Sequence, residues 1–144
     1  MIETIIVIAT FFFMEFVSWF THKFVMHGFL WNIHKDHHQV DKTKVFQKND
    51  YFFLIFATPS MILIYLGYNE LNYLFFIGIG IALYGLAYFI VHEVIIHQRL
   101  KIFKRTNNRY IKAIRKAHKV HHKNIHKEDG KSFGMLIVSK EYWK

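Results

Sequence analysis

None of the nineteen lysines and arginines lies in residues 1–22 or 49–98. All fall in two blocks, Lys23 to Lys48 and Arg99 to Lys144, and the stretches outside those blocks are strongly apolar. The chain has 144 residues, which suits one domain spanning 1–144. It is 53% hydrophobic yet carries a net charge of +9, a poor match to a small water-soluble domain. Segregation resolves the conflict. The apolar stretches enter a bilayer, and the basic blocks stay in the water beside it. A basic balance also suits nucleic acid, but segregated charge favours a cytoplasmic membrane face beside anionic lipid. The absence of cysteine excludes disulfides and CxxC zinc sites.

Three spans follow. Residues 2–20 form the first. No basic segment precedes it and no small-residue cleavage site follows, which predicts a retained helix and not a signal peptide. Trp19 suits the interface, with Lys23 snorkelling just beyond it. The second span is Tyr51 to Tyr68, with Pro59 expected to kink it. A tight turn is expected at Gly67–Glu70. The third span is Leu71 to Val91, where Gly78, Gly80 and Gly85 either permit close packing or are common membrane-helix residues. Continued to His97, that helix is about 40 Å long. The hydrocarbon layer needs only about 30 Å, so its last turns reach the interface.

Onto this frame the chain places histidines in four boxes. His22 and His27 make an HxxxxH, and His34, His37 and His38 make an HxxHH. The order repeats with His92 and His97, then His118, His121 and His122. Ten of the eleven histidines lie in these boxes, and only His126 stands outside, where a surface role is expected. Three crossings put all four boxes on the side that holds every lysine and arginine, and the positive-inside rule makes that side cytoplasmic. The expected fold is an all-α integral membrane protein. It has three transmembrane helices and a cytosolic helical histidine-rich cap, with the N-terminus outside and the C-terminus inside.

HxxHH sets imidazoles within about 100° of arc on a helix, where they can converge on one or two metals. HxxxxH sets its pair about 140° apart, too wide for one straight face. It requires a distorted helix or two metals beside it. Residues 28–50 read as a surface loop or short helices. Arg109 to Ile125 has helical periodicity. There Ile111, Ile114, His118, His121, His122 and Ile125 share about 100° of arc, and the lysines lie on a neighbouring one. Ten imidazoles exceed what one ion takes, and two ions at four or five ligands each would use them all. Neutral imidazole suits iron, zinc, copper or nickel. So many histidines are lavish for structural zinc, which favours a redox pair. Each bound ring needs an acceptor on its other nitrogen, and Asp36, Glu93 and Glu15 are the candidates. Glu15 lies seven residues before His22, about 20° away on the same stripe. It is either a carboxylate that faces the polar bundle interior near the metal site or a protonated group that bonds a neighbouring helix.

The tracts Glu15 to Trp31, His34 to His38, Tyr84 to Arg99, Ala117 to His122 and Ser132 to Gly134 resemble the membrane-bound fatty-acid-hydroxylase superfamily. Its histidine boxes hold a non-haem di-iron centre, and the closer resemblance is to its bacterial β-carotene hydroxylase branch. Two departures are Glu93, where an aspartate is expected, and a short lysine-rich tail. The resemblance implies two non-haem irons on the ten box histidines. It also implies O₂-dependent hydroxylation at C3 of β-ionone rings, β-carotene to β-cryptoxanthin to zeaxanthin, in a bacterial inner membrane. It further implies a separate electron donor, a ferredoxin with its NAD(P)H-dependent reductase; the chain itself has no dinucleotide fingerprint, haem motif or cysteine. Alternatives are another histidine-box oxygenase (a carotenoid ketolase, sterol or fatty-acyl hydroxylase) or a membrane metal-binding or transport protein. Against transport, the second and third spans carry no charge through the mid-bilayer.

Overall fold

The computed structural model describes residues 1–39, 46–100 and 105–144. The middle of the expected surface stretch, residues 40–45, lies outside them. The described residues contain helices and no strand. Helix α1 spans Ile2–Phe20, α2 Trp31–His38, α3 Phe52–Gly67, α4 Tyr73–Tyr88 and α5 Arg109–Lys123. Short 3₁₀ turns cover Lys48–Tyr51 and Lys140–Trp143. Two helices do not end where their α-helical register does. α1 continues as a π-helix over Thr21–Phe29, and α4 continues as one over Phe89–Ile96.

Three continuous helical stretches, Ile2–Phe29, Lys48–Gly67 and Tyr73–Ile96, are long and apolar enough to cross a membrane. Their outer faces carry exposed Ile5, Phe12, Phe16, Leu54, Met61 and Leu86. Contiguous apolar surface of this kind needs lipid against it. Lys23 Nζ lies 5.3 Å above the Trp19 ring at the end of the first span, a snorkelling geometry.

α4 is the central helix, and two glycines set its packing. A Cβ at Gly78 would lie 2.8 Å from Ile64 N, and one at Gly80 would lie 2.9 Å from Val7 O. Gly78 therefore admits α3 and Gly80 admits α1, on opposite sides of α4. Gly85 differs: a Cβ there meets nothing within 4 Å. Ser60 Oγ donates to Gly78 O across the α3–α4 contact at 2.8 Å. α3 runs on as helix through Pro59. The turn falls at residues 68–71, one position later than expected, because Leu71 takes the left-handed conformation (φ 47°) and Asn72 caps α4 through Leu74 N.

The core between the spans is Met14, Tyr84 and Met135. Met135 comes from the C-terminal tail, which is tied into the bundle by Glu15. Glu15 Oε1 accepts from the backbone N–H of Met135, Leu136 and Ile137 at 3.1, 2.8 and 3.0 Å. Its Oε2 accepts from Tyr84 Oη at 2.7 Å. Glu15 thus bonds a neighbouring helix, as one expectation had it, but it does so as an acceptor at all four contacts and not as a protonated donor, and it also clamps the tail. No described histidine bonds to it.

Helix α5 is shorter than its periodicity suggested. It stops at Lys123, and Ile125 is exposed beyond it. Asn124 turns extended (ψ 107°), which aims its carbonyl at His38 Nδ1, 2.8 Å away.

Candidate metal centre

The π-helical segments resolve the HxxxxH problem. In a π-helix each N–H reaches the carbonyl five residues back, which brings residues i and i+5 onto one face, about 50° apart instead of about 140°. His97 N donates to His92 O at 2.9 Å, and Leu30 N donates to Val25 O at 3.0 Å. The ring centroids of His22 and His27 are 5.3 Å apart, and those of His92 and His97 are 4.5 Å apart. The widening ends the first span at Gly28 (φ −101°, ψ −124°) and the third near Gln98, which is left-handed (φ 55°).

The histidines gather at one end of the bundle in two adjoining groups. His22, His27, His34, His38 and His121 each point a nitrogen into one space, with those atoms within 4.8 Å of one another. His37, His97, His118 and His122 do the same beside them. His38 of the first group stacks on His122 of the second at 4.7 Å. His92 belongs to neither group by that measure. Its ring nevertheless lies 4.5 Å from His97 and 4.7 Å from His118. His126 is exposed, and among the described residues it bonds only through its backbone N–H, to Asn124 Oδ1.

The first group is oriented uniformly. Each Nδ1 faces an oxygen: His22 to Phe133 O, His27 to Lys127 O, His34 to Asn49 Oδ1, His38 to Asn124 O and His121 to Lys131 O, at 2.6–3.2 Å. These oxygens carry no proton, so each Nδ1–H donates and each neutral ring presents an Nε2 lone pair inward. Those lone pairs face one another. His22 to His34, His27 to His38 and His38 to His34 are 3.2, 3.1 and 3.2 Å apart between Nε2 atoms. The buried Nε2 of His121 has no hydrogen-bond partner. Converging lone pairs repel unless a cation lies among them. Two nitrogens bound side by side to one ion at about 2.1 Å are about 3.0 Å apart, close to these spacings.

The second group repeats the pattern in part. His37 Nδ1 meets Gln47 Oε1 at 3.1 Å and His92 Nδ1 meets Glu93 Oε1 at 2.6 Å. His118 and His97 face each other through Nε2 at 2.9 Å, and the buried His122 Nε2 has no partner. Burial favours the neutral form of seven of these imidazoles. It lowers His34 to about 3 and His38 to about 4, and it lowers His37, His97, His118, His121 and His122 as well. Neutral, lone-pair-inward imidazoles are the protonation state that metal binding requires. The donor set therefore fits metal ions.

Of the three carboxylates expected to orient the rings, only Glu93 does so directly, and Arg99 Nε holds its other oxygen at 2.6 Å. Asp36 acts one step away. It accepts from the N–H groups of Lys48 and Asn49, which places Asn49 against His34. Glu15 positions the tail that carries the Phe133 and Lys131 carbonyls. Gln47, Asn49 and the tail carbonyls were not singled out from sequence. Gln47 and Asp50 do show capping-box spacing, and that was the one available signal. The carbonyls left none, because any residue supplies one.

A cavity of about 850 Å³ opens beside the histidines, lined by His22, His92 and His118 at one end and by Met14, Phe56 and Ile81 between the spans. Tyr88 stacks on His92 at 4.6 Å along its wall.

The fatty acid hydroxylase family profile matches residues 7–140. A β-carotene hydroxylase of Pantoea ananas is 39% identical over 136 residues, covering 94% of this chain and 77% of that protein. One of Pseudescherichia vulneris is 36% identical over 140 residues, 97% of this chain and 79% of its own length. The chloroplastic β-carotene hydroxylase 1 of Capsicum annuum is 32% identical over 132 residues, 89% of this chain and 41% of its own. No solved structure gives a significant match. The chain belongs to the fatty acid hydroxylase family, on the branch that holds the bacterial β-carotene hydroxylases.

Proposed function

We propose that the chain is a membrane-bound iron-dependent monooxygenase that hydroxylates carotenoid β-ionone rings, β-carotene to β-cryptoxanthin to zeaxanthin. The observation that carries this reading is the set of inward-facing Nε2 lone pairs at the mouth of an apolar cavity between membrane spans. The relatives' printed activity supports the substrate class. One iron would sit among His22, His27, His34, His38 and His121. The other would sit among His37, His97, His118 and His122, with His92 beside them as a fifth imidazole. When bound, the metal pair supplies the reductive activation of O₂ that attack on a ring C–H bond requires.

The chain's own residues do the rest. Met14, Phe56 and Ile81 give an apolar substrate a dry path from the bilayer to the histidines. Phe133 packs edge-on against His22, His27 and His121 at 5.5, 5.1 and 5.2 Å and screens that side from water. The outward hydrogen bonds fix each ring's tautomer and direction before metal arrives.

The histidine end is assigned to the cytoplasmic side of the bacterial inner membrane, because every described lysine and arginine belongs to segments at that end. A reporter fused after Lys144 is expected to work only if it is of the cytoplasmic kind. Electrons are assigned to a ferredoxin and its NAD(P)H-dependent reductase. The deciding experiment is expression in cells that accumulate β-carotene, followed by pigment analysis. β-Cryptoxanthin and zeaxanthin are expected. An unchanged pigment profile, with the protein present in the membrane and metal-loaded, refutes the substrate assignment.

A further inference from the structure

We propose that the outer face of α5 is the docking surface for an acidic electron-donor protein. This rests on the monooxygenase reading above. Five positions of α5 are exposed, and all five are basic: Arg109, Lys112, Lys116, Lys119 and Lys123. At 100° per residue they fall within about 80° of arc, one continuous stripe. α5 carries no carboxylate to offset them. The last turn of the tail packs beside it and adds exposed Lys140 and Lys144 against the single acid Glu141, with Lys116 Nζ reaching Lys144 O at 3.3 Å.

Direction separates a protein partner from lipid. The buried face of α5 carries His118 and His121. His118 meets His97 at the end of the third span, and His121 packs on His22 at the end of the first, with centroids 4.4 Å apart. The histidine groups therefore lie between α5 and the spans. The stripe is on the opposite side of the helix, so it faces away from the bilayer and into water. A lipid-binding helix would turn its basic residues toward the headgroups.

Distance and electron balance say what kind of protein. Hydroxylation of one ring C–H consumes one O₂, two electrons and two protons. One oxygen atom enters the C–H bond and the other leaves as water. A cysteine-free chain cannot hold an iron–sulfur cluster on thiolates, so the two electrons arrive from a donor group outside these residues. A one-electron carrier docks twice per turnover and leaves oxidised each time. On α5 it would stand about one helix diameter, roughly 10 Å, from imidazoles carried by that same helix. A basic stripe steers an acidic partner to this place, and salt weakens the attraction.

The test uses the iron-loaded protein in detergent, an acidic [2Fe–2S] ferredoxin as probe, and the triple variant Lys112→Glu, Lys116→Glu, Lys119→Glu. All three side chains are exposed, on the face of α5 opposite His118 and His121. Ferredoxin binding to the wild-type protein is expected to weaken at least tenfold between low and physiological salt. The variant is expected to lose at least tenfold more at low salt, with iron content and melting temperature unchanged. Its KM for ferredoxin should rise, while single-turnover product formed with a chemical reductant stays at the wild-type level. Equal ferredoxin binding by variant and wild type overturns the proposal. So does a variant whose only change is weaker retention of anionic lipid, which would make the stripe a lipid contact. Failure of the wild-type protein to form product even with chemical reductant strikes the monooxygenase reading instead, so the two failures are distinguishable.

Discussion

Replacing Glu15 should loosen the metal site without touching a histidine. Glu15 gathers four donors, the N–H groups of Met135, Leu136 and Ile137 and the hydroxyl of Tyr84. The tail it holds carries the carbonyls that orient His22 and His121. A buried donor left unpaired costs about 1–3 kcal/mol, so four bound the loss in Glu15→Ala at roughly 4–12 kcal/mol. The tail can relax into water, which puts the expected value near the low end, about 4 kcal/mol. At roughly 3 °C per kcal/mol for a chain of this size, the melting temperature should fall by about 10 °C. Glu15→Gln keeps one oxygen for the three N–H groups and loses only the Tyr84 bond, so about 1 kcal/mol is expected. The assay is thermal unfolding in detergent with metal analysis and limited trypsin digestion. Glu15→Ala should become cleavable at Lys131 and lose metal, and Glu15→Gln should do neither. If Glu15→Ala melts at the wild-type temperature with a protected tail and full metal, the clamp is not what holds the tail.

Three further expectations follow from the same geometry. In metal-free protein His34 titrates near 3, lowered by burial, against about 6.5 when unfolded, so the unfolded chain binds the extra proton between those values. Stability is then full above about pH 6.5 and falls as pH drops toward 3, with His34 alone removing about 2 kcal/mol by pH 5; melting temperatures flat from pH 7.5 to 5 contradict this. His122→Ala should abolish turnover with the protein still in the membrane, and His126→Ala should keep most activity; equal loss in both means that the ligands are miscounted. Gly85→Leu projects into open space beside the cavity, so turnover should fall at least tenfold while the melting temperature holds or rises, helix propensity improving by about 1 kcal/mol. Undiminished turnover of β-carotene would place the substrate elsewhere.

Much of this architecture was legible in the residues, for identifiable reasons. Apolar length and the exile of lysine and arginine from the spans are one-dimensional properties, so the three membrane-length helices could be read directly. Their odd number also required the four boxes to meet at one end, as they do. What depended on hydrogen-bond register could not be read. The five-residue spacing of His22–His27 and His92–His97 left a distorted helix open as one of two solutions, and periodicity had no means to choose the π-helix. The partition of the histidines into five and four, with His92 set apart, depends on ring directions fixed by distant oxygens such as Phe133 O and Asn49 Oδ1. Glu15 was visible as a costly carboxylate in an apolar helix. Three of its four partners are backbone N–H groups about 120 residues away, and backbone groups leave no mark in sequence.

The central claim is that the ten box histidines hold two iron ions per chain, and elemental analysis of anaerobically purified, fully active protein tests it most directly. The expected result is about two iron atoms per chain, the number that ten imidazoles at five per ion allow. It should fall to about one in His38→Ala or His97→Ala, each of which disables one group. Stoichiometric zinc with full activity, or a single iron in the wild-type protein, would contradict the account.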